Sequence, residues 1–217
     1  VSMIDTHVGE TLALLDELGL ADNTVVSFCS DNGAGSRADG TLDSCGPFRG
    51  EKQSMYEGGL RVPFIVRWPG KIAANTITDM PCYFPDVLPT LLDLAGAASA
   101  IPAGLDGISL KPTLLGDAGQ PRERTFYWEN PSYNWGNKRY YPERLSQAVR
   151  RGRWKMLRTG TDKPWELYDL AADIGETTDL AAREPDTVKE LAAWVEANRN
   201  EPPVQQEPTM PEGKNYR

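Results

Sequence analysis

The chain reads as an α/β layer followed by a small antiparallel sheet carrying one helix. Two observations predict the first part: a helix-strand-loop-strand-helix rhythm up to about residue 96, and a long Gly-rich loop leaving the end of the first strand. A third predicts the second part: short β-rich runs follow one another after a Gly/Pro-bearing stretch at Leu115–Pro121 and precede a final helical pattern.

Met3, Ile4, Val8, Leu12, Leu15 and Leu18 recur at helical spacing, and Gly19-Leu20 reads as a C-cap, so a helix is expected over about 2–18. Thr24–Cys29 and Val62–Trp68 are apolar, β-rich runs, expected as buried strands; the second is stopped by Pro69-Gly70. Between them, Asp31–Gly59 shows no sustained period, and so long an irregular stretch in a compact domain is usually functional or disordered. Phe84–Leu94 has helical spacing with Leu88, Leu91, Leu92 and Ala95 expected inward and Gly96 as cap. Thr125–Glu129, Ser146–Arg150, Arg153–Leu157 and Trp165–Tyr168 read as strands, with Arg151-Gly152 as a hairpin turn. Pro185 opens a last helix to about Asn198, its apolar face formed by Val188, Leu191, Ala192 and Val195. The domain boundaries expected are 1–118, 119–200 and a Pro-rich tail, 201–217, that drapes over the body or moves freely.

Composition narrows the function. The 217 residues carry 23 Lys+Arg against 31 Asp+Glu, a net charge of −8, which argues against a nucleic-acid binder. No run approaches the roughly 18 apolar residues of a membrane span. Cys29, Cys45 and Cys82 show no CxxC spacing and suggest neither a disulfide framework nor a zinc knuckle. Val1 is not an initiator, and a helical pattern is under way by residue 3, so the sequence is expected to begin inside a longer one. A single histidine, His7, is thin provision for proton transfer, and its place beside the helix stripe reads as a surface or half-buried residue.

Ser30-Asp31-Asn32-Gly33 follows the first strand. A carboxylate beside an amide oxygen at a strand end suits calcium or magnesium, but Asp-Asn-Gly is also common turn chemistry, and the tetrapeptide alone leaves both open. Farther on come Gly46-Pro47-Phe48-Arg49-Gly50-Glu51-Lys52 and then Tyr56-Glu57-Gly58-Gly59-Leu60-Arg61-Val62-Pro63-Phe64-Ile65-Val66-Arg67-Trp68-Pro69-Gly70. Together with Pro89–Gly96, Leu105–Leu110 and Glu166–Leu170, this order of motifs resembles the carboxyl-terminal half of a type I sulfatase, of the alkaline-phosphatase-like superfamily. The resemblance covers nearly the whole chain.

It implies that residues 1–118 form part of an alkaline-phosphatase-like mixed sheet flanked by helices, and 119–200 a small α+β subdomain. It implies that Asp31 and Asn32 are metal ligands, for calcium or else magnesium, and that Lys52 contacts the sulfate group, offsetting charge on an anionic ester and its departing oxygen. The bland reading of Lys52 is a solvated loop lysine. Glu57, Gly58, Gly59 and Arg61 fit the family too, but read as scaffold: glycines for close backbone approach, and an ion pair that holds the loop. Cys45-Gly46-Pro47-Phe48-Arg49 imitates the Cys-x-Pro-Ser-Arg motif whose Cys becomes formylglycine, yet it occupies the segment leading to the lysine. The formylglycine is therefore expected in an amino-terminal half that this chain lacks.

Tyr127-Trp128-Glu129-Asn130 stands where many relatives have Glu-His. Tyr133, Trp135, Arg139, Tyr140 and Tyr141 either line the mouth of a sulfated-sugar site or pack the two parts together. The resemblance implies a sulfuric ester hydrolase acting on a sulfated small molecule or carbohydrate, partnered by the absent amino-terminal half, with this chain alone inactive. A periplasmic or secreted location fits the family. The alternatives are a phosphoesterase of the same superfamily, which often places His where Asn32 stands, and a non-catalytic fragment for glycan binding or assembly.

Overall fold

The computed structural model describes residues 2–35, 43–134 and 139–199. The tail at 201–217 and Trp135 lie outside the described residues, as do the side chains of Tyr133, Arg139 and Tyr140.

The first helix, α1 (Ser2–Glu17), ends as its glycine predicts. Gly19 takes φ +66°, Gly19 N–H donates to Asp16 O at 3.1 Å and Leu20 N–H to Leu15 O at 2.9 Å, so the last carbonyls are satisfied. None of its residues is buried. Val8, Leu12 and Leu15 are half-buried, but Met3 is 74% exposed, Ile4 57% and Leu18 58%, so the two ends of the apolar stripe that made the helix legible are open.

β1 (Val26–Cys29) and β2 (Phe64–Arg67) pair antiparallel, with Val26 opposite Arg67 and Cys29 opposite Phe64. The expectation of buried strands is corrected here. One side of the ribbon lies over α3 (Val87–Leu94) and α4 (Lys111–Leu114), with Val25, Val66, Leu94 and Leu110 lining the gap. The other side is open: Ile65 is 61% exposed and Phe28 38%. An apolar run encodes burial on both faces, and among the described residues this sheet has only two strands and one cover.

The phase of α3 also differs from expectation. Pro89, Thr90 and Leu94 are buried, whereas Leu88 is 50% and Leu91 45% exposed. Polar anchors set this rotation. Asp86, fully buried just before the helix, receives both terminal nitrogens of Arg124 and the Ile108 N–H. Thr90 Oγ1 accepts the Leu110 N–H at 2.8 Å. Satisfying buried hydrogen-bonding groups outweighs burial of two leucines, because each orphaned group costs about 1–3 kcal/mol.

The second sheet is a meander of β3 (Thr125–Asn134), β4 (Arg139–Arg151), β5 (Trp154–Arg158) and β6 (Glu166–Asp169). Gly152, at φ +57°, makes the expected β4–β5 turn. The β3–β4 hairpin runs farther than the sequence suggests, across a register shift between Asn130 and Ser132. Both faces of this sheet are covered. Val149, Met156 and Leu167 pack on Leu191 and Val195 of α5 (Pro185–Asn198), the face the sequence assigns to that helix. Ala148, Leu157 and Tyr168 on the opposite face pack on Met55, Tyr56 and Leu60. The long loop after β1 thus returns to bury itself against the meander, where it forms the short helix α2 (Glu57–Leu60).

Candidate functional site

Asp31 and Asn32 lie directly after β1. Ser30 Oγ donates to Asn32 O at 2.9 Å and closes the turn, while Asn32 Nδ2 donates to Asp31 Oδ1 at 2.8 Å. The amide nitrogen is thereby engaged on the carboxylate, which leaves the Asn32 amide oxygen and Asp31 Oδ2 as hard-oxygen donors of the kind calcium and magnesium take. Among the described residues no three His, Cys, Asp or Glu side chains come together as a cation site, so these donors are a partial set.

Gly33 fixes where the turn sits. Its N–H donates to Gly59 O at 3.1 Å, and a Cβ at this position would fall 2.0 Å from Gly58 O. No other residue fits so close an approach. Gly58 and Gly59 are equally confined: a Cβ on Gly58 would meet Gly50 O at 2.3 Å, and one on Gly59 would meet Ser54 O at 2.2 Å. The paired glycines do serve close backbone approach.

Lys52 is joined to the same place by its backbone, its N–H donating to Ala34 O at 2.8 Å. Its side chain is exposed, and no carboxylate among the described residues pairs with the ammonium. The next residue, Gln53, has φ +77°, a conformation that costs a non-glycine residue of order 1 kcal/mol or more. Asn130 Nδ2 donates to Gln53 O at 3.3 Å and ties this turn to β3. Cys45 is packed into the same junction, with Sγ 3.8 Å from Gly58 O and 3.9 Å from Ala34 O. His7, by contrast, sits on α1 beside Glu10 at 3.2 Å, exposed.

Beneath the lysine loop lies a buried charge cluster. Lys155 Nζ is 2.8 Å from Glu57 Oε1 and 2.9 Å from Glu176 Oε1, and both Lys155 and Glu176 are fully buried. The Glu176 contact is an ion pair by distance alone; its angle does not make a hydrogen bond, and Oε1 has no other partner. Glu57 Oε2 receives Arg61 Nε at 2.5 Å, the ion pair the sequence suggests. Burial alone would raise the Glu57 carboxyl, but Lys155 and Arg61 outweigh it and hold the group below the ordinary carboxylate range. In Glu176 burial dominates and pushes the carboxyl up, with Lys155 offsetting it only in part. Arg49 lies 3.9 Å over the Tyr56 ring and donates to Tyr168 Oη at 3.0 Å. Burial, then the hydrogen bond to Glu166, push the Tyr56 hydroxyl up to about 12.

Away from this cluster, Glu129 is held below the ordinary range: burial raises it, but Tyr127, Arg199 and Gln147 together more than offset that. A carboxylate lowered in the folded state contributes stability that is full above its unfolded pKa, about 4.3 for Glu, and lost as pH falls through the folded value. Glu57, Glu129 and Asp173, the last lowered mainly by the amide of Thr178, all act in this sense. Glu176 acts in the opposite sense, its ionisation costing stability as pH rises. The melting temperature is therefore expected to drop as pH is lowered from about 5 to about 3, by calorimetry at fixed ionic strength; a flat profile would contradict these lowered carboxyls.

A family profile described as N-sulphoglucosamine sulphohydrolase, C-terminal, matches residues 48–200. The chain belongs to this sulfatase family. It is 33% identical to mouse steryl-sulfatase over 91% of its own length and 35% of that protein. It is 32% identical to an N-acetylgalactosamine-6-O-sulfatase of Bacteroides thetaiotaomicron, over 91% of the chain and 40% of the relative. Among solved structures it superposes with TM-score 0.68, at 27% identity, on a protein determined in complex with its substrate D-glucosamine-2-N,6-O-disulfate, covering 89% of the chain and 37% of that protein. The chain thus spans about a third to two fifths of the length of these relatives.

In this member of the family the structure brings Asp31, Asn32 and the Lys52 backbone into one neighbourhood, through Gly33 and Ala34. Sequence reasoning missed Arg49, Lys155 and Glu176. The one available signal was a lysine inside the apolar run Trp154–Leu157, on the strand face shared with Leu157. Of the aromatic and basic segment, Tyr141 is half-buried with the Arg144 guanidinium 4.9 Å over its ring.

Proposed function

We propose that this chain is the carboxyl-terminal part of a sulfuric ester hydrolase, in which Asp31 and Asn32 supply two ligands to a calcium ion and Lys52 binds the sulfate group. The observation that supports the reading is the Lys52 N–H to Ala34 O hydrogen bond, which joins the backbone of the lysine loop to the segment that follows Asp31 and Asn32. Membership of the sulfatase family supports it. A divalent cation held there supplies fixed positive charge to a sulfate oxygen. Lys52 adds a second positive charge in reach of the anionic ester and stabilises the charge that builds on the departing oxygen. Asn32 is oriented by its own hydrogen bond to Asp31, so its oxygen needs little reordering to bind.

In this proposal residues 1–118 belong to the catalytic α/β domain, 119–200 form its carboxyl-terminal subdomain, and 201–217 a tail. The remaining ligands, the proton donors and the formylglycine, which supplies an attacking hydroxyl, belong to an amino-terminal half. The open faces of α1 and of the β1–β2 ribbon are where that half packs, and a sulfated carbohydrate is the substrate. The 217-residue chain alone is inactive. In the full-length protein, Lys52→Ala is expected to lower kcat for 4-nitrophenyl sulfate by about 100- to 1,000-fold, with calcium affinity unchanged. Asp31→Ala should instead weaken calcium binding by calorimetric titration. Parental kcat in Lys52→Ala would refute the sulfate contact, and turnover by the isolated chain would refute the division of labour.

A further inference from the structure

The loop that carries Lys52 is fastened at both ends to one residue of the distal subdomain. At its start, Arg49 Nη1 donates to Glu176 O at 2.8 Å. At its end, Glu57 N–H donates to Glu176 Oε2 at 2.7 Å, which caps α2 from outside, since Tyr56 at the N-cap offers no side-chain bond. Lys155 braces both carboxylates from β5. Glu176 itself takes φ +51°, so the surrounding contacts hold it in a backbone conformation that a glutamate rarely adopts.

From α2 the path to the Asp31–Asn32 turn is one contact long. Gly59 O accepts the Gly33 N–H, and Gly58 O lies where a Gly33 Cβ would be, so a shift of α2 moves the turn with no intervening side chain to absorb it. Fully buried ionic groups contribute little net stability compared with apolar side chains of equal volume, so stability alone does not account for three of them at this junction. We infer that Glu176, braced by Lys155, is a positioning residue that sets Lys52 and the Asp31–Asn32 ligands relative to one another by holding both ends of the loop at 49–57. This rests on the calcium and sulfate placement proposed above.

The test uses the full-length protein, calcium and 4-nitrophenyl sulfate. Glu176→Ala, which removes the acceptor for the Glu57 N–H, is expected to weaken calcium binding about tenfold by calorimetric titration, and to lower kcat more than it changes KM. Glu176→Gln keeps an acceptor oxygen there and is expected to recover most of both losses. A Glu176→Ala protein with parental calcium affinity and kcat but a lowered melting temperature would overturn the inference, as would a Gln variant no better than the Ala one. If Glu176→Ala does not fold, Arg49→Met releases the other end of the loop and should give the same two losses; parental values there count against the inference. Asp31→Ala with parental calcium affinity would sink the cation placement and this inference with it, whereas its loss together with unaffected Glu176 variants would sink the inference alone.

Discussion

Replacing Lys155 with Met is expected to lower the stability of the protein by about 3–5 kcal/mol, the scale on which breaking a buried ion pair destabilises. The ammonium sits between two carboxylates, 2.8 Å from one and 2.9 Å from the other, and the pair with Glu176 is wholly out of water. Methionine is close to lysine in volume, so the loss is electrostatic: the Glu176 carboxylate is left buried without a counter-charge, beside a Glu57 that keeps its pairing with Arg61. Urea unfolding reads this as a lower midpoint at unchanged slope. Adding Glu57→Gln and Glu176→Gln to Lys155→Met should recover a large part of the loss, because neutral amides carry no comparable desolvation cost. A loss below about 1 kcal/mol in the single variant, the scale of a solvent-exposed pair, would show that the cluster is screened.

Gly33→Ala is the second large effect expected. The added methyl would lie 2.0 Å from Gly58 O and within 2.8 Å of Gly59 Cα and C, all backbone atoms that no rotamer change can move. Either the Asp31–Asn32 turn or α2 must shift. Overpacking of this kind costs about 1–3 kcal/mol or more, and a displacement on the order of 1 Å between catalytic groups costs about 100-fold in rate. Turnover of 4-nitrophenyl sulfate by the full-length protein measures it. Gly35→Ala is the matched control, since a Cβ there meets nothing within 4 Å. Parental turnover in Gly33→Ala would mean that the turn and α2 are not locked together.

Local chemistry made much of this legible. Gly19, Gly96 and Gly152 mark chain reversals through the one conformation they tolerate better than other residues, and α5 is readable from Pro185 and its apolar stripe because that stripe meets a sheet within the same chain. The β1–β2 ribbon and α3 were misjudged for opposite reasons. Hydrophobic runs report what the strands are built to bury, and the described residues cover only one side of them. Polar anchors rotated α3, and Asp86 with Arg124 is a pairing across 38 positions that no local pattern reveals. The candidate ligands and Lys52 were visible because they lie in compact motifs. Glu176 was invisible: it is an unremarkable acid in Ile174-Gly175-Glu176-Thr177, and its meaning comes wholly from contacts with Arg49 and Glu57 far upstream.

That separation bears on how the chain is made. Glu57 and Glu176 are 119 positions apart, so at about 5–20 residues per second of synthesis the first waits roughly 6–24 s for the second. For most of that interval the nascent segment has neither the cap for α2 nor the ammonium of Lys155, 98 positions downstream, and Arg61 is the counter-charge at hand for the Glu57 carboxylate. The contacts that fasten the lysine loop to Glu176 can therefore form only once residue 176 has been made, after the last strand of the meander, which ends at Asp169.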